Sequence, residues 1–293
     1  MPEIARTYSN ACFRIRVLAG LPCFHDLIGW YLDFPEAHGD ETPVLDVTFR
    51  IHDRPNSWSG RAPTLANAHV DVERGEIDSW PRAQAGERVP MSDGPLFFNQ
   101  PLAYLLQRRG YHLLHAAFVR REGRRLLVMG DSGVGKSSIA VLLSLHGWQL
   151  LSDDVTFARE GPGGPDLLPL ATRVKYRSPA LEGLVAERPT PVNPVGLRTT
   201  DPIDILFPRF VRGTEARLES LSKHDGTRRL IAGNTIRGFA GPEEDRAARR
   251  NGFEILCGLA RSARSFKLSY DDRCLADIPH LVDGMLAGEA RRA

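Results

Sequence analysis

Lysine is scarce. Only Lys136, Lys175, Lys223 and Lys267 occur in a chain of 293 residues with 38 basic side chains, so arginine carries nearly all of the positive charge. Each lysine is therefore informative, and one of them ends a glycine-rich loop. Cysteine is equally rare. Cys12, Cys23, Cys257 and Cys274 stand far apart, in no CxxC or zinc-ligand spacing. That excludes a disulfide framework or a zinc site and fits reduced thiols. No run approaches the ~18 apolar residues that a membrane span requires. The opening MPEIARTYSNACFRIR has no apolar stretch of the kind a secretory signal uses. A cytoplasmic location and no membrane partner are the expectations. An excess of one charge is also missing: 38 basic against 36 acidic side chains leave +2. This excludes a strongly electrostatic nucleic-acid binder and allows at most a local basic cleft.

What is present is ordinary globular chemistry, 42% hydrophobic and 25% charged. At ~100–200 residues per domain the length suggests two domains, each able to bury a core without a covalent or metal staple. The character of the chain changes near residue 95. CFRIRVLAG (12–20) and PVLDVTFRIH (43–52) alternate apolar and polar residues, the period of half-buried strands. FHDLIGWYLDF (24–34) can form one helix between them, and ANAHVDVERGEIDSWP predicts a hairpin about Arg74 and Gly75. Residues 1–94 thus read as a smaller α+β or mostly-β domain. Its His25, His38, His52 and His69 fall in no ligand pattern.

Residues 95–293 read as an α/β domain. A helix is expected over PLFFNQPLAYLLQRRG (95–110), with Pro101 in its first turn, then a strand in YHLLHAAFVRR (111–121). RLLVMG (125–130) is short and almost wholly apolar, as a strand buried on both faces should be. After GDSGVGKSSIAVLLSLHGW comes one further strand, WQLLSDDVTFARE (148–160), carrying two adjacent aspartates. Residues 161–200, proline-rich and aperiodic, suggest a loop. A strand at DILFPRF (204–210), a helix near 243–260 and a strand at FKLSY (266–270) complete the domain.

Gly130-Asp131-Ser132-Gly133-Val134-Gly135-Lys136-Ser137 fits G-x-x-x-x-G-K-[ST], between an apolar strand and an amphipathic helix. That context, more than the pattern, points to a P-loop. The glycines let backbone N–H groups close around phosphate, and the helix that starts near Lys136 adds its positive end. Lys136, expected to be solvated without nucleotide, can reach the β and γ phosphates, and the Ser137 hydroxyl can ligate Mg²⁺. Residues Gly130 to Ser138, with Ser138 included, are the expected ATP site. Asp153 and Asp154 suggest a division of labour, one carboxylate on the metal and one on an acceptor hydroxyl. His115 reads equally well as a histidine near the nucleotide or as one in the core. His112 and His115 would face opposite sides of a strand and make a poor metal pair. Arg173, Lys175 and Arg209 are candidates to grip the γ phosphate or the acceptor.

The ordered set LLHAAFV, GDSGVGKSSIA and HGWQLLSDDV resembles the HPr kinase/phosphorylase superfamily, in particular its HPr-kinase-related branch of peptide and protein serine kinases. FPRF, LESLSK and FKLSYDD fit that branch more loosely, and the resemblance spans about 95–275. It implies an HPr kinase/PEP carboxykinase-like nucleotide-binding fold using ATP and Mg²⁺. It further implies that Asp153 is general base toward a serine hydroxyl, that Asp154 and Ser137 hold Mg²⁺, and that His115 lies by the transferring phosphate. The two aspartates could exchange roles. Ser138 stands where HPr kinases carry an acidic residue, and their E-x-R-G-x-G stretch is absent. The resemblance therefore carries the kinase machinery but neither HPr as substrate nor phosphorolysis. The expected acceptor is a peptide or protein, for which the N-terminal strands are a candidate docking edge, and a homo-oligomer is left open. A metabolite kinase of the same fold and a nucleotide-gated peptide-binding module are the alternatives. A regulatory GTPase is disfavoured, because no D-x-x-G follows between 137 and 200.

Overall fold

The computed structural model describes residues 4–10, 12–19, 22–32, 45–52, 68–80, 94–174, 181, 191–192, 200–234 and 242–290. Lys175 lies outside the described residues, as does most of 161–200 beyond Val174. The protein is mixed α/β and divides into two compact units. One comprises Met1–Leu113, Asn193–Val195 and Ile236–Gly252; the other comprises Leu114–Val192, Gly196–Thr235 and Phe253–Ala293.

The first unit is built on β1 (Ile4–Ser9), β2 (Phe13–Ala19), β3 (Leu45–Ile51), β4 (Ala68–Asp71) and β5 (Glu76–Ser79). They form a sheet in the order β1-β2-β3-β5-β4. Alternation in β2 and β3 sends Phe13, Ile15 and Val17, with Val47, Phe49 and Ile51, to the buried face. β2 and β3 run parallel, so the chain between them must cross over, and α1 (Pro22–Tyr31) lies in that connection. α2 (Gly94–Arg108) packs on the same sheet, stacking Phe98 on Phe49 with ring centroids 4.6 Å apart. Pro101 sits inside this helix rather than in its first turn, because the helix begins well before it. One backbone bond is lost there.

At the start of β6 (His112–Leu114), His112 is buried against Gly252, and neither ring nitrogen has a hydrogen-bond partner among the described residues. Burial pushes its imidazole down to about 4, below the ~6.5 of an unfolded histidine. The unfolded chain therefore takes up the proton first. This contribution to stability is whole above pH ~6.5 and is lost as the pH falls toward 4, on the order of 3 kcal/mol. His112→Leu is expected to flatten the acid limb of a pH series of denaturation midpoints; an unchanged limb would mean that other groups set it.

The second unit carries the remaining strands: β7 (Ala116–Arg121), β8 (Arg124–Met129), β9 (Gln149–Ser152), β10 (Thr156–Gly161), β11 (Gly164–Pro169), β12 (Ile203–Phe210), β13 (Arg217–Ser220) and β14 (Arg264–Tyr270). Six of them form a sheet ordered β13-β14-β12-β8-β7-β9. β8, β12 and β14 are mutually parallel, whereas β7 runs antiparallel to both β8 and β9. The carboxyl ends of β8, β9, β12 and β14 and the amino end of β7 consequently share one edge. α3 (Lys136–Leu145) buries Ile139 through Leu143 on this sheet, in one core with Leu206, Phe266, Leu268 and Tyr270. α4 (Lys223–Gly233), α5 (Pro242–Ser262) and α6 (Ile278–Ala290) complete the fold, and α6 adds Ile278 and Val282 to that core. Buried Asp204 receives two charged hydrogen bonds from Arg264, at 2.7 and 2.8 Å, which fastens β12 to β14.

Two expectations for this unit change. The single strand at 148–160 is broken into β9 and β10 at the two aspartates, just after an irregularity at Leu151 in the β9–β7 pairing. Within 161–200, β11 pairs with β10 as a hairpin instead of forming a loop. Among the described residues no helix is long and apolar enough to cross a membrane.

Candidate functional site

β8 is buried along nearly its whole length and ends at Met129. The chain then passes through three glycines with left-handed or mirror-extended backbone, Gly130 (φ 146°), Gly133 (φ 86°) and Gly135 (φ 93°), and enters α3 at Lys136. Among the described residues no side chain caps that helix, which leaves its first-turn N–H groups suited to an anion. Asp131, Ser132 and Gly133 are exposed; Val134, Gly135, Ser137 and Ser138 are half-buried.

Lys136 is not solvated, as the sequence had suggested, but buried at 5% exposure. Its ammonium donates to the carbonyls of Gly130 (2.9 Å) and Asp131 (3.0 Å), and these acceptors replace water. Burial lowers its pKa, while the carboxylates of Asp154, Asp153 and Asp131 pull it back up.

Asp131 lies in the loop itself, whereas Asp153 and Asp154 follow β9, which β7 separates from β8 in the sheet. β9 stops at Ser152, whose hydroxyl donates to Val155 O at 2.7 Å and so ties down the turn that follows. The turn separates two residues that look alike in sequence. Asp153 is 2% exposed. Asp154 is half exposed and pairs with His115 Nδ1 at 3.0 Å. His115, just ahead of β7, is half exposed as well, so it belongs to the site edge rather than to the core.

A further contact was not visible in the sequence. Tyr270, at the end of β14 and 4% exposed, donates its hydroxyl to Val134 O at 2.9 Å. Burial pushes this phenol up to about 12, with the Asp272 charge adding to the effect. A Cβ at Gly135 would collide with that same hydroxyl. Asp271 follows, capping the next helical turn and accepting from Gly213 N and Arg273 N; these bonds hold its carboxyl down at about 2.

Gly135→Ala should therefore lose both the left-handed conformation, about 1–2 kcal/mol, and the room for its methyl group. Adding Tyr270→Phe removes the nearest obstructing atom and leaves the ring carbon Cζ at 3.1 Å. The double variant is expected to recover part of the stability, and a denaturation double-mutant cycle measures the coupling. Strictly additive losses would show that the two residues do not share that space.

Of the other candidates, Arg209 is exposed at the end of β12. Arg173 is half-buried after β11, a strand of the hairpin and not of this sheet. The structure thus brings the 130–138 loop, Lys136, His115, Asp153, Asp154 and Arg209 to one edge and leaves Arg173 off that sheet.

Among the described residues no group of three or more His, Cys, Asp or Glu side chains is gathered as a metal cluster. Mg²⁺ does not require one. It is commonly held by one or two carboxylates together with substrate phosphates and water, and the Ser137 hydroxyl and half-exposed Asp154 are hard oxygen donors of that kind.

Fold and edge together define a mixed α/β protein whose glycine-rich strand–loop–helix is flanked by a pair of aspartates. No family model matches the chain, and no curated protein does.

Proposed function

We propose that the protein is an ATP- and Mg²⁺-dependent kinase, resembling the HPr-kinase-related branch, which transfers the γ phosphate to a hydroxyl, first of all a serine, of a peptide or protein. The observation that carries this reading is the convergence at one sheet edge of a P-loop-like segment, its buried lysine and an aspartate pair. Ligands of parallel sheets bind outside the carboxyl ends of the strands, and that is where this edge lies.

In this reading the open N–H groups of the 130–135 loop and of the first turn of α3 bind the phosphates. Lys136 exchanges the Gly130 and Asp131 carbonyls for phosphate oxygens. Ser137 and Asp154 would hold Mg²⁺, which supplies neutralisation of phosphate charge when bound. Asp153 accepts the proton of the acceptor hydroxyl as its oxygen bonds to phosphorus and the bond to the departing ADP breaks. His115 fixes the Asp154 carboxylate and lies beside the transferring group. Arg209 is the basic residue of this edge proposed for the acceptor or the γ phosphate; Arg173, off this sheet, and Lys175, outside the described residues, are candidates on the sequence alone. The exposed edge strand β1 offers an extended peptide a strand to pair with. A cytoplasmic setting suits both substrates.

The test is incubation with labelled ATP, Mg²⁺ and the peptides or proteins encoded beside this chain, followed by identification of the labelled product. An acid-stable phosphate ester on serine is expected. An acid-labile phosphohistidine or acyl phosphate would exclude hydroxyl transfer, and label on a small metabolite would replace the peptide acceptor with a metabolite.

A further inference from the structure

We infer that Phe210 is the platform on which the base of the nucleotide stacks; this rests on the nucleotide-binding reading above and adds the site for its other end.

Four large apolar side chains are exposed among the described residues. Ile4 belongs to the other unit, Leu145 ends α3 away from the loop, and Phe253 lies along α5. Phe210, 45% exposed, is the one at the carboxyl edge. An aromatic ring left in water beside a phosphate-binding loop is costly unless something covers it in use, because burying a ring is worth on the order of 2 kcal/mol.

Its placement follows from register. β12 is the immediate neighbour of β8, and their pairing ends at Leu206 opposite Val128. β12 then continues to Phe210, about 13 Å further along the strand, beyond the level at which β8 gives way to the loop. That overhang is comparable with the reach of a nucleoside from its phosphates. The face is also settled. Leu206, Pro208 and Phe210 stand opposite Phe266, Leu268 and Tyr270 in the β12–β14 register, and Leu206, Phe266, Leu268 and Tyr270 belong to the core under α3. The Phe210 ring therefore projects on the α3 side of the sheet, the side from which the loop enters its helix, while alternation turns Arg209 to the other side.

The ring is also held. It meets Tyr270 edge to face, with centroids 5.8 Å apart and planes at 83°, and Tyr270 is anchored through its hydroxyl to Val134 of the loop. The Phe210 ring is thus braced by a residue that is itself bonded to the loop proposed to bind phosphate. A flat, braced and water-exposed ring suits a heteroaromatic base, which can stack without hydrogen bonds to its edges. Recognition by stacking alone is tolerant of the base, so nucleoside triphosphates as a class are the ligand, with the larger purine face stacking over more of the ring.

The experiment is calorimetric binding of ATP and, in parallel, of inorganic tripolyphosphate, both with Mg²⁺, to the full chain and to Phe210→Ala, Phe210→Trp and Lys136→Ala. Tripolyphosphate offers the phosphates without the base. Phe210→Ala is expected to weaken ATP binding about ten- to a hundred-fold and to leave tripolyphosphate within two-fold of the parent (about the scatter tolerated for an untouched site). Phe210→Trp should keep ATP affinity, and Lys136→Ala should lose both ligands. Unchanged ATP affinity in Phe210→Ala overturns the inference. Equal loss of ATP and tripolyphosphate in that variant also overturns it, since the ring would then be a support for the loop. A parent chain that binds neither ligand overturns the nucleotide-binding reading itself and the platform with it.

Discussion

Lys136→Ala is expected to reduce phosphate transfer by ~10²–10³-fold, the scale on which loss of one preorganised cationic or N–H contact to developing charge is felt. Two separate losses combine. The first is the proposed contact to the β and γ phosphates, which an alanine cannot make. The second comes from the position of the amine before nucleotide arrives. Its bonds to Gly130 O and Asp131 O lie within the loop, so the ammonium pins the shape of the loop that is proposed to hold phosphate. Folding should suffer far less. Alanine removes a buried charge that is costly to desolvate as well as two charged hydrogen bonds, and these effects oppose each other. A net stability change within about 1 kcal/mol is expected. Turnover with labelled ATP and a denaturant titration on the same preparation separate the two effects. Parental turnover would remove the loop from the mechanism. A collapse of stability matching that of turnover would show the lysine to be a structural residue.

The part of this edge that lies on one contiguous stretch was legible in sequence. An apolar strand, glycines at the right spacing and helical periodicity follow one another from Arg124 to Leu145, and local physics fixes each. The aspartates were legible as a pair but not as individuals. Hydropathy runs on through SDDVTF as if one strand continued, whereas the chain turns after Ser152, a turn tied by its bond to Val155 O, with Asp153 buried and Asp154 half exposed. The burial of Lys136 was hidden for a similar reason: its acceptors are backbone carbonyls, which every residue has.

Tyr270 was invisible because its partner lies 136 residues away and appears only when β14 and the loop meet across β12. Phe210 was hidden by its neighbour. In FPRF the arginine attracts a phosphate argument, and the exposure of the phenylalanine depends on how far β12 outruns β8. β13, α4 and α6 lacked a distinctive period of their own. α6 is recognisable chiefly by what Ile278 and Val282 do in the core.

The two aspartates should fail in different ways when each is changed to asparagine. Asp154 is half exposed and bonded to His115, so Asn there weakens the proposed hold on Mg²⁺ and loosens the histidine. Its loss of turnover should shrink as Mg²⁺ is raised. Asp153 is buried, close enough for its charge to bear on Lys136, and Asn keeps its volume. In Asp153→Asn nucleotide affinity should stay near that of the parent while turnover falls ~10²–10⁴-fold, the scale of general-base catalysis, with no rescue by metal. The burial that separates the two residues also constrains the roles. A base at 2% exposure can meet an acceptor hydroxyl only where the acceptor itself closes the site, whereas a half-exposed carboxylate is open to a hydrated cation from the start. Nucleotide affinity and turnover for both variants across a Mg²⁺ titration decide the assignment. Rescue of Asp153→Asn but not of Asp154→Asn would exchange the roles. Equal and metal-rescuable losses would leave neither as a dedicated base, and a module that binds nucleotide without transferring phosphate would then account better for this edge.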